Sequence, residues 1–430
     1  MVVPGVADRG LLVRGAGLPD WSLAAPGCIP PGPRVEVRLA GGRIVAVGGA
    51  GTLQVRRHDE VLEVPGGVLL PGLHDHHLHV RALVAARRSA RAGPDDVAGV
   101  EELARALGAA PVDRHGWRRA VGYHESVAGP LDRRALDALA PGGPLRLQHR
   151  SGVLWVLNSA AVTALGLDEV DEAGIERDGR GTPTGRLVRM DGWLARRLPH
   201  DDPVADVGPV SAALAAAGVT GVTDATAGAT TPGVAALAGA VETGALRQRL
   251  HVLCPPGVDP PPHPLVSRGP VKIVLDDDRL PGLDDLAAEM DRAHGAGVAV
   301  AVHCVTAPQV VLTAAALGAV GSVAGDRIEH GSVVPAGLMA TLASLGVTVV
   351  TNPGLVLARG DRYLADVDPA ERPDLYRAAS LEAAGVGLAA GTDAPFGPAD
   401  PWSAIGAAHA RRTRAGRSLG PDEALSLRRA

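Results

Sequence analysis

Six side chains carry the chemistry legible in this sequence: His77, His79, Lys272, His303, His330 and Asp393. Neutral imidazole and carboxylate bind a divalent cation such as Zn²⁺ at about 2.0–2.2 Å. A spacing of two along an extended chain points His77 and His79 to one side, so this pair is expected to hold a single ion. His303 and His330 are expected to hold a second. Lys272 is the only lysine in a chain with 42 Lys plus Arg. A guanidinium stays charged, whereas a buried lysine amine deprotonates readily. The neutral amine reacts with carbon dioxide to give a carbamate, which is a carboxylate on a long arm. Lys272 is therefore the expected bridge between two cations. A water shared by two Lewis-acidic ions ionises near neutral pH, and the resulting hydroxide is the expected nucleophile. Asp393 is expected to bind metal and to carry a proton from that water to a leaving nitrogen.

These residues are far apart in sequence, so the fold must gather them. From Val68 onward, continuous apolar runs alternate with helical periods, the pattern of a parallel sheet covered by helices. The strands expected are Val68 to Leu73, Gly218 to Asp224, Leu250 to Cys254, Val271 to Leu275, Val298 to His303, Arg327 to His330, Val347 to Thr351 and Val386 to Gly391. Eight such strands suit an α/β protein built as a (β/α)8 TIM barrel, whose carboxyl strand ends share one face. His77 and His79 are expected just after the first strand. Lys272 lies within the fourth, His303 and His330 end the fifth and sixth, and Asp393 follows the eighth. Helices are expected around Leu283 to Met290, after Thr306, from Pro335 to Leu345, near Leu375 to Ala384 and from Trp402 to Ala415.

Residues 1–67 read as a small β module with strands at Leu11 to Val13, Val35 to Leu39 and Ile44 to Val47, separated by Gly and Pro. Residues 68–430 then form the barrel. Residues 81–206 are a long insertion after its first strand, containing a strand from Leu145 to Gln148 and several helices. Within the insertion, Tyr123, His124, Glu125, His149 and Arg150 form polar groups suited either to a substrate pocket or to a surface turn. His74 and His76 alternate with the ligand pair and are expected to pack elsewhere. Cys304 alternates with His303 and should face away from the metals. Asp276, Asp277 and Asp278 read as a solvated loop.

Composition narrows the partners. The chain is 46% hydrophobic and 21% charged, with a formal net charge of −5. No basic run points to nucleic acid or a membrane surface. No signal-peptide pattern opens the chain, and no apolar stretch is long enough to span a bilayer. Three cysteines, Cys28, Cys254 and Cys304, make no disulfide framework. A cytoplasmic enzyme acting on a small molecule is expected.

Pro71-Gly72-Leu73-His74-Asp75-His76-His77-Leu78-His79 resembles the opening strand of the amidohydrolase superfamily. Val271-Lys272, Ala301-Val302-His303, Arg327-Ile328-Glu329-His330-Gly331 and Gly391-Thr392-Asp393-Ala394-Pro395 resemble its later motifs, in order. Leu136-Asp137-Ala138, Leu157-Asn158-Ser159-Ala160-Ala161 and Gly181-Thr182-Pro183-Thr184-Gly185 resemble the inserted region of the branch that includes N-substituted formamide deformylase. The resemblance covers roughly residues 39–427. It implies a metal site at His77, His79, Lys272, His303, His330 and Asp393, and hydrolysis of an amide-type carbon–nitrogen bond. A deaminase or cyclic-amide hydrolase on the same scaffold is the alternative, and a non-catalytic relative is the third reading. The segment after Lys272 is shorter than in the branch, Cys304-Val305-Thr306 stands near where relatives carry Gly-Asp-Arg, and Val153 replaces a histidine. The family also continues beyond its last helix into strands that complete the β module. Their lack here is expected to leave an open edge, and the two readings are a truncated chain or an edge covered by a partner such as a second copy in a homodimer.

Overall fold

The computed structural model describes residues 10–22, 29–199, 204 and 206–430. Cys28 lies outside the described residues.

Near the N-terminus, Gly10–Pro19, Pro31–Ala40, Arg43–Gly49 and Asp59–Glu63 form a four-stranded sheet. The turn at Gly41 and Gly42, both at positive φ, joins Pro31–Ala40 to Arg43–Gly49 as a hairpin. Asp59–Glu63, the strand absent from the sequence reading, runs parallel to Gly10–Pro19.

The expected first strand of the parallel series is corrected by the structure. It runs Leu73–Leu78, not Val68 to Leu73, and we label it β1. Val68 and Leu69 belong with the N-terminal sheet instead: Leu69 N donates to Gly17 O at 2.9 Å, and Val68 bridges Gly17. His77 therefore lies within a strand, and His79 immediately precedes the helix Val80–Arg87. The series continues as β2 (Val219–Asp224), β3 (Arg249–Val252), β4 (Val271–Val274), β5 (Val300–Cys304), β6 (Arg327–His330), β7 (Thr348–Thr351) and β8 (Gly387–Ala390). A short segment, Val266–Arg268, pairs with β3, and after Gly269-Pro270 the same chain pass becomes β4 and pairs with β5. The parallel strands thus fall in a four-stranded and a five-stranded sheet joined through that broken strand.

β1 and β8 share no ladder. Their carboxyl ends are nevertheless tied. Asp393 N donates to His77 O at 2.7 Å, and His79 N donates to Ala394 O at 2.9 Å. Asp75 accepts from Thr392 N at 3.0 Å and from the Thr392 hydroxyl at 2.6 Å. Lower on the seam, a cleft of about 650 Å³ separates the strands.

Alternation along β4, β5 and β6 decides which residues leave the centre. Val271, Ile273, Val300, Val302, Cys304 and Ile328 pack into an apolar cluster with Leu286 and Met290 of the helix Leu283–Gly295 and Val310 of the helix Ala307–Val320. Thr306 and Gln309 build a capping box at the start of the latter helix. Their neighbours in sequence, Lys272, His303 and Glu329, are left on the opposite faces. The helix Gly354–Asp366, absent from the sequence reading, follows β7; the helix expected near Leu375 to Ala384 is shorter, Ala378–Ala383.

The inserted stretch holds a six-stranded sheet rather than a single strand. Two of its neighbouring strands, Arg118–Tyr123 and Leu145–His149, run parallel.

Asp326 anchors the starts of β5 and β6. Its carboxylate accepts from Val300 N at 2.9 Å and Val323 N at 2.8 Å, and lies 3.0 Å from His294 Nε2. Its side chain is fully buried. Asp326→Ala leaves two backbone donors without a partner, at about 1–3 kcal/mol each. A loss of about 3 kcal/mol in urea unfolding is expected; a loss below about 1 kcal/mol would show that water replaces the carboxylate.

Candidate metal centre

Four of the six predicted ligands lie on β1, β4, β5 and β6, His79 directly follows β1, and Asp393 lies in the loop after β8. The structure draws three into one tight group: one ligand atom each from His77, His79 and Asp393 lie within 4.8 Å of one another. Asp393 Oδ1 stands 3.6 Å from His77 Nε2 and 3.3 Å from His79 Nε2. His330 adjoins this group, its ring centroid 4.6 Å from that of His77, and His303 lies 4.6 Å beyond His330. Lys272 sits on β4 opposite Ala301, and its charge bears on both His77 and His303.

The loop bearing Asp393 reaches the site because residue 391 is glycine. A Cβ there would come within 2.5 Å of the backbone nitrogen of His77. Asp393 itself adopts φ +55° and His330 φ +67°, left-handed values that Asp and His tolerate better than most residues.

Two residues that the sequence reading gave no role fix the imidazoles. Glu329 is fully buried beside His77, and its carboxylate contacts His77 Nδ1 and the Arg327 guanidinium. A carboxylate only accepts here, so His77 carries its proton on Nδ1 and turns Nε2, with its lone pair, towards Asp393. Asn352, just after β7, does the same for His330. Its amide nitrogen donates to Gly391 O at 2.9 Å, which orients its oxygen, 2.7 Å away, to accept from His330 Nδ1. Glu329 was visible as the acidic neighbour of His330 and shares a strand face with Arg327 by alternation. Asn352 had no signal beyond its place at a strand end.

Burial sets the protonation states. Desolvation pushes the His77 pKa down to about 4 and that of His303 to about 3, and drives His330 well below its ordinary value. All three are neutral, ligand-competent rings at neutral pH. Burial favours a neutral Asp393, but the hydrogen bond from His79 and the nearby histidines outweigh it and hold the carboxylate well below its usual range. Desolvation also lowers Lys272, against the opposing pull of Glu329 and Asp393. Its Nζ is buried without a hydrogen-bond partner. A buried amine with no acceptor calls for an explanation. Neutral rings, an ionised aspartate and a partnerless, deprotonation-prone amine are a donor set that fits divalent metal.

The remaining candidates lie elsewhere. His74 contacts Thr223 at 2.9 Å and His76 through ring centroids 4.5 Å apart. Cys304 Sγ meets the Thr313 hydroxyl at 3.2 Å, and burial pushes its thiol up to about 12, which leaves it no nucleophilic thiolate. Asp276 and Asp278 pair with Arg189. Tyr123 donates to Gly129 O, while His124, Glu125 and His149 form a group of their own. Phe396, the chain's single phenylalanine, stands edge-on to His79 with centroids 5.4 Å apart.

Asn352→Ala is expected to weaken metal binding about 10–100-fold by freeing the His330 ring. Competition with a chromophoric chelator measures this, and an unchanged affinity would remove Asn352 from the site's support.

Known proteins are similar to this chain. N-substituted formamide deformylase of Arthrobacter pascens is 27% identical over 461 aligned positions, covering 91% of this chain and 82% of the relative. An uncharacterized metal-dependent hydrolase of Pyrococcus furiosus superposes with a TM-score of 0.72 at 18% identity, over 97% of this chain and 91% of its own. Another from Pyrococcus horikoshii gives 0.74 at 17%, over 97% and 90%. The two share the fold. The amidohydrolase family model matches residues 60–430, a span that takes in β1, β4, β5, β6 and the loop after β8, and the chain belongs to the amidohydrolase family.

Proposed function

We propose that this protein is a metal-dependent hydrolase that cleaves an amide-type carbon–nitrogen bond of a small molecule. The observation that carries the reading is the convergence of His77, His79 and Asp393, with Glu329 and Asn352 turning the Nε2 atoms of His77 and His330 outward as ligands. The two sheets, joined by the broken strand before β4 and tied at Asp75–Thr392, read as one (β/α)8 barrel with its face of carboxyl strand ends around these residues.

His77, His79, Lys272, His303, His330 and Asp393 would hold two divalent ions, with zinc the best match to the ligand types. Such ions polarise a carbonyl oxygen and lower the pKa of water towards neutrality. To serve as a bridge, the neutral Lys272 amine would add to carbon dioxide through a new N–C bond and lose one proton to solvent, which places an anionic carboxylate at the end of the arm. Glu329 keeps the His77 proton on Nδ1 throughout. Asp393 is the ionised acceptor at the centre: it takes the proton of the attacking water and delivers it to the departing nitrogen. Phe396 shields one edge of His79 from solvent.

The likeness to N-substituted formamide deformylase makes N-substituted formamides the first substrates to try. The test is a panel of formamides, amides, lactams and aminopyrimidines with zinc-loaded protein. Release of a carboxylate and an amine is the expected result. Ammonia from an aminopyrimidine would move the assignment to deamination, and a fully loaded protein inert on the whole panel would overturn catalysis.

A further inference from the structure

The inserted sheet carries a second constellation with metal-type ligands. Tyr123 is paired opposite His149 in the parallel strands Arg118–Tyr123 and Leu145–His149. His124 and Glu125 follow the first strand at the level where His149 ends the second. One ligand atom each from His124, Glu125 and His149 lie within 4.8 Å of one another. The two rings are 5.6 Å apart and tilted by 34°.

The two strand ends repeat one local device. Each histidine is followed two residues later by a serine that folds back on its Nδ1. The Ser126 backbone N–H donates to His124 Nδ1 at 3.1 Å, with the Ser126 hydroxyl 2.9 Å from the same nitrogen; for Ser151 and His149 the values are 3.1 and 2.7 Å. A backbone N–H only donates, so Nδ1 accepts in both rings and each ring carries its proton on Nε2. His149 Nε2 lies 3.0 Å from Glu125 Oε2 and donates its proton there. A cation at Nε2 requires each ring's proton to move to Nδ1, where the serine hydroxyl accepts it and the exposed serine N–H turns to water; Glu125 and His149 then stand as two adjacent ligands. Desolvation lowers both histidine pKa values, with help from nearby arginines, and so favours neutral rings. The nearby arginines, Arg150, Arg359 and Arg362, oppose a cation, and of these Arg362 is paired with Asp366.

We propose that His124, Glu125 and His149 form a separate three-ligand site for a divalent cation such as Zn²⁺. All three residues are half-buried, so an ion can enter from solvent and keep an open coordination position. The site stands at the rim of the candidate metal centre. The loop after His149 packs on Phe396, because a Cβ on Gly152 would lie 2.9 Å from that ring, and Phe396 packs on His79.

Zinc bound per chain decides the matter. The chelator-stripped full chain is titrated with Zn²⁺ calorimetrically, and its stoichiometry is checked by native mass spectrometry. The wild type is expected to bind about one equivalent more than His124→Ala, a variant that leaves the Glu125–His149 pair intact. Glu125→Gln, which keeps the shape without the charge, is expected to lose the same equivalent and covers the case in which His124→Ala misfolds. Wild-type stoichiometry in the variants would reduce the cluster to a hydrogen-bonded pair and overturn the site. Because the readout is a difference, it stands whether or not the main centre loads. His303→Ala, measured in parallel, reports on that centre alone.

Discussion

Lys272→Arg is expected to empty the centre of most of its metal and to lower kcat/KM by about a thousandfold, equivalent to about 4 kcal/mol of barrier. The Lys272 amine is buried, partnerless and depressed in pKa by desolvation. It is thus prepared for carbon dioxide in a way that no guanidinium can be. Arginine in its place would also set a permanent charge beside His77 and His303, where cations are meant to bind. Lys272→Ala separates the two effects. It removes the arm without adding charge, and a short carboxylate such as formate or acetate supplied in the buffer should restore part of both metal content and turnover. Near-normal turnover in Lys272→Arg, with its full complement of metal, would eliminate the carbamate bridge. Rescue of Lys272→Ala that depends on carboxylate concentration would support it.

The candidate centre was legible because its residues sit at or near the ends of strands whose apolar runs alternate with helices. His303 and Lys272 could be placed from the neighbours that alternation sends outward, Val302 and Ile273 among them. The error over β1 had the same source. Val68 to Leu70 is as apolar as a buried strand, but it pairs with the N-terminal sheet, while the true strand, Leu73–Leu78, carries three histidines and an aspartate and does not look apolar at all. A functional strand loses its hydrophobic signature to the residues that make it functional. The inserted region was read as one strand and several helices because its other strands are short and interrupted by Gly and Pro; Ile175–Arg177 and Ala90–Arg91 give no run long enough to show a period. Asn352 eluded the sequence for another reason. Its role lies in a hydrogen bond that spans three chain segments, β7, the end of β6 and Gly391, and no local pattern encodes that meeting.

Asp393→Asn tests the division of labour between holding metal and moving protons. The change preserves shape, and asparagine tolerates the φ of +55° found here. The backbone bonds that place residue 393, from its nitrogen to His77 O and from Phe396 N to its own carbonyl, do not involve the side chain. An amide oxygen can still face His79 Nε2, now 3.3 Å from the carboxylate, but it cannot take up a proton at neutral pH. The variant should therefore keep part of its metal while kcat falls about 10²–10⁴-fold, the range typical of a lost general acid–base group. Unchanged kcat with metal retained would remove Asp393 as the proton carrier. Loss of metal in proportion to activity would make it a ligand only, and the proton would then have to travel through another group at the centre. Glu329 is poorly placed for that task, because its carboxylate is already engaged by His77 and Arg327 in a fully buried position.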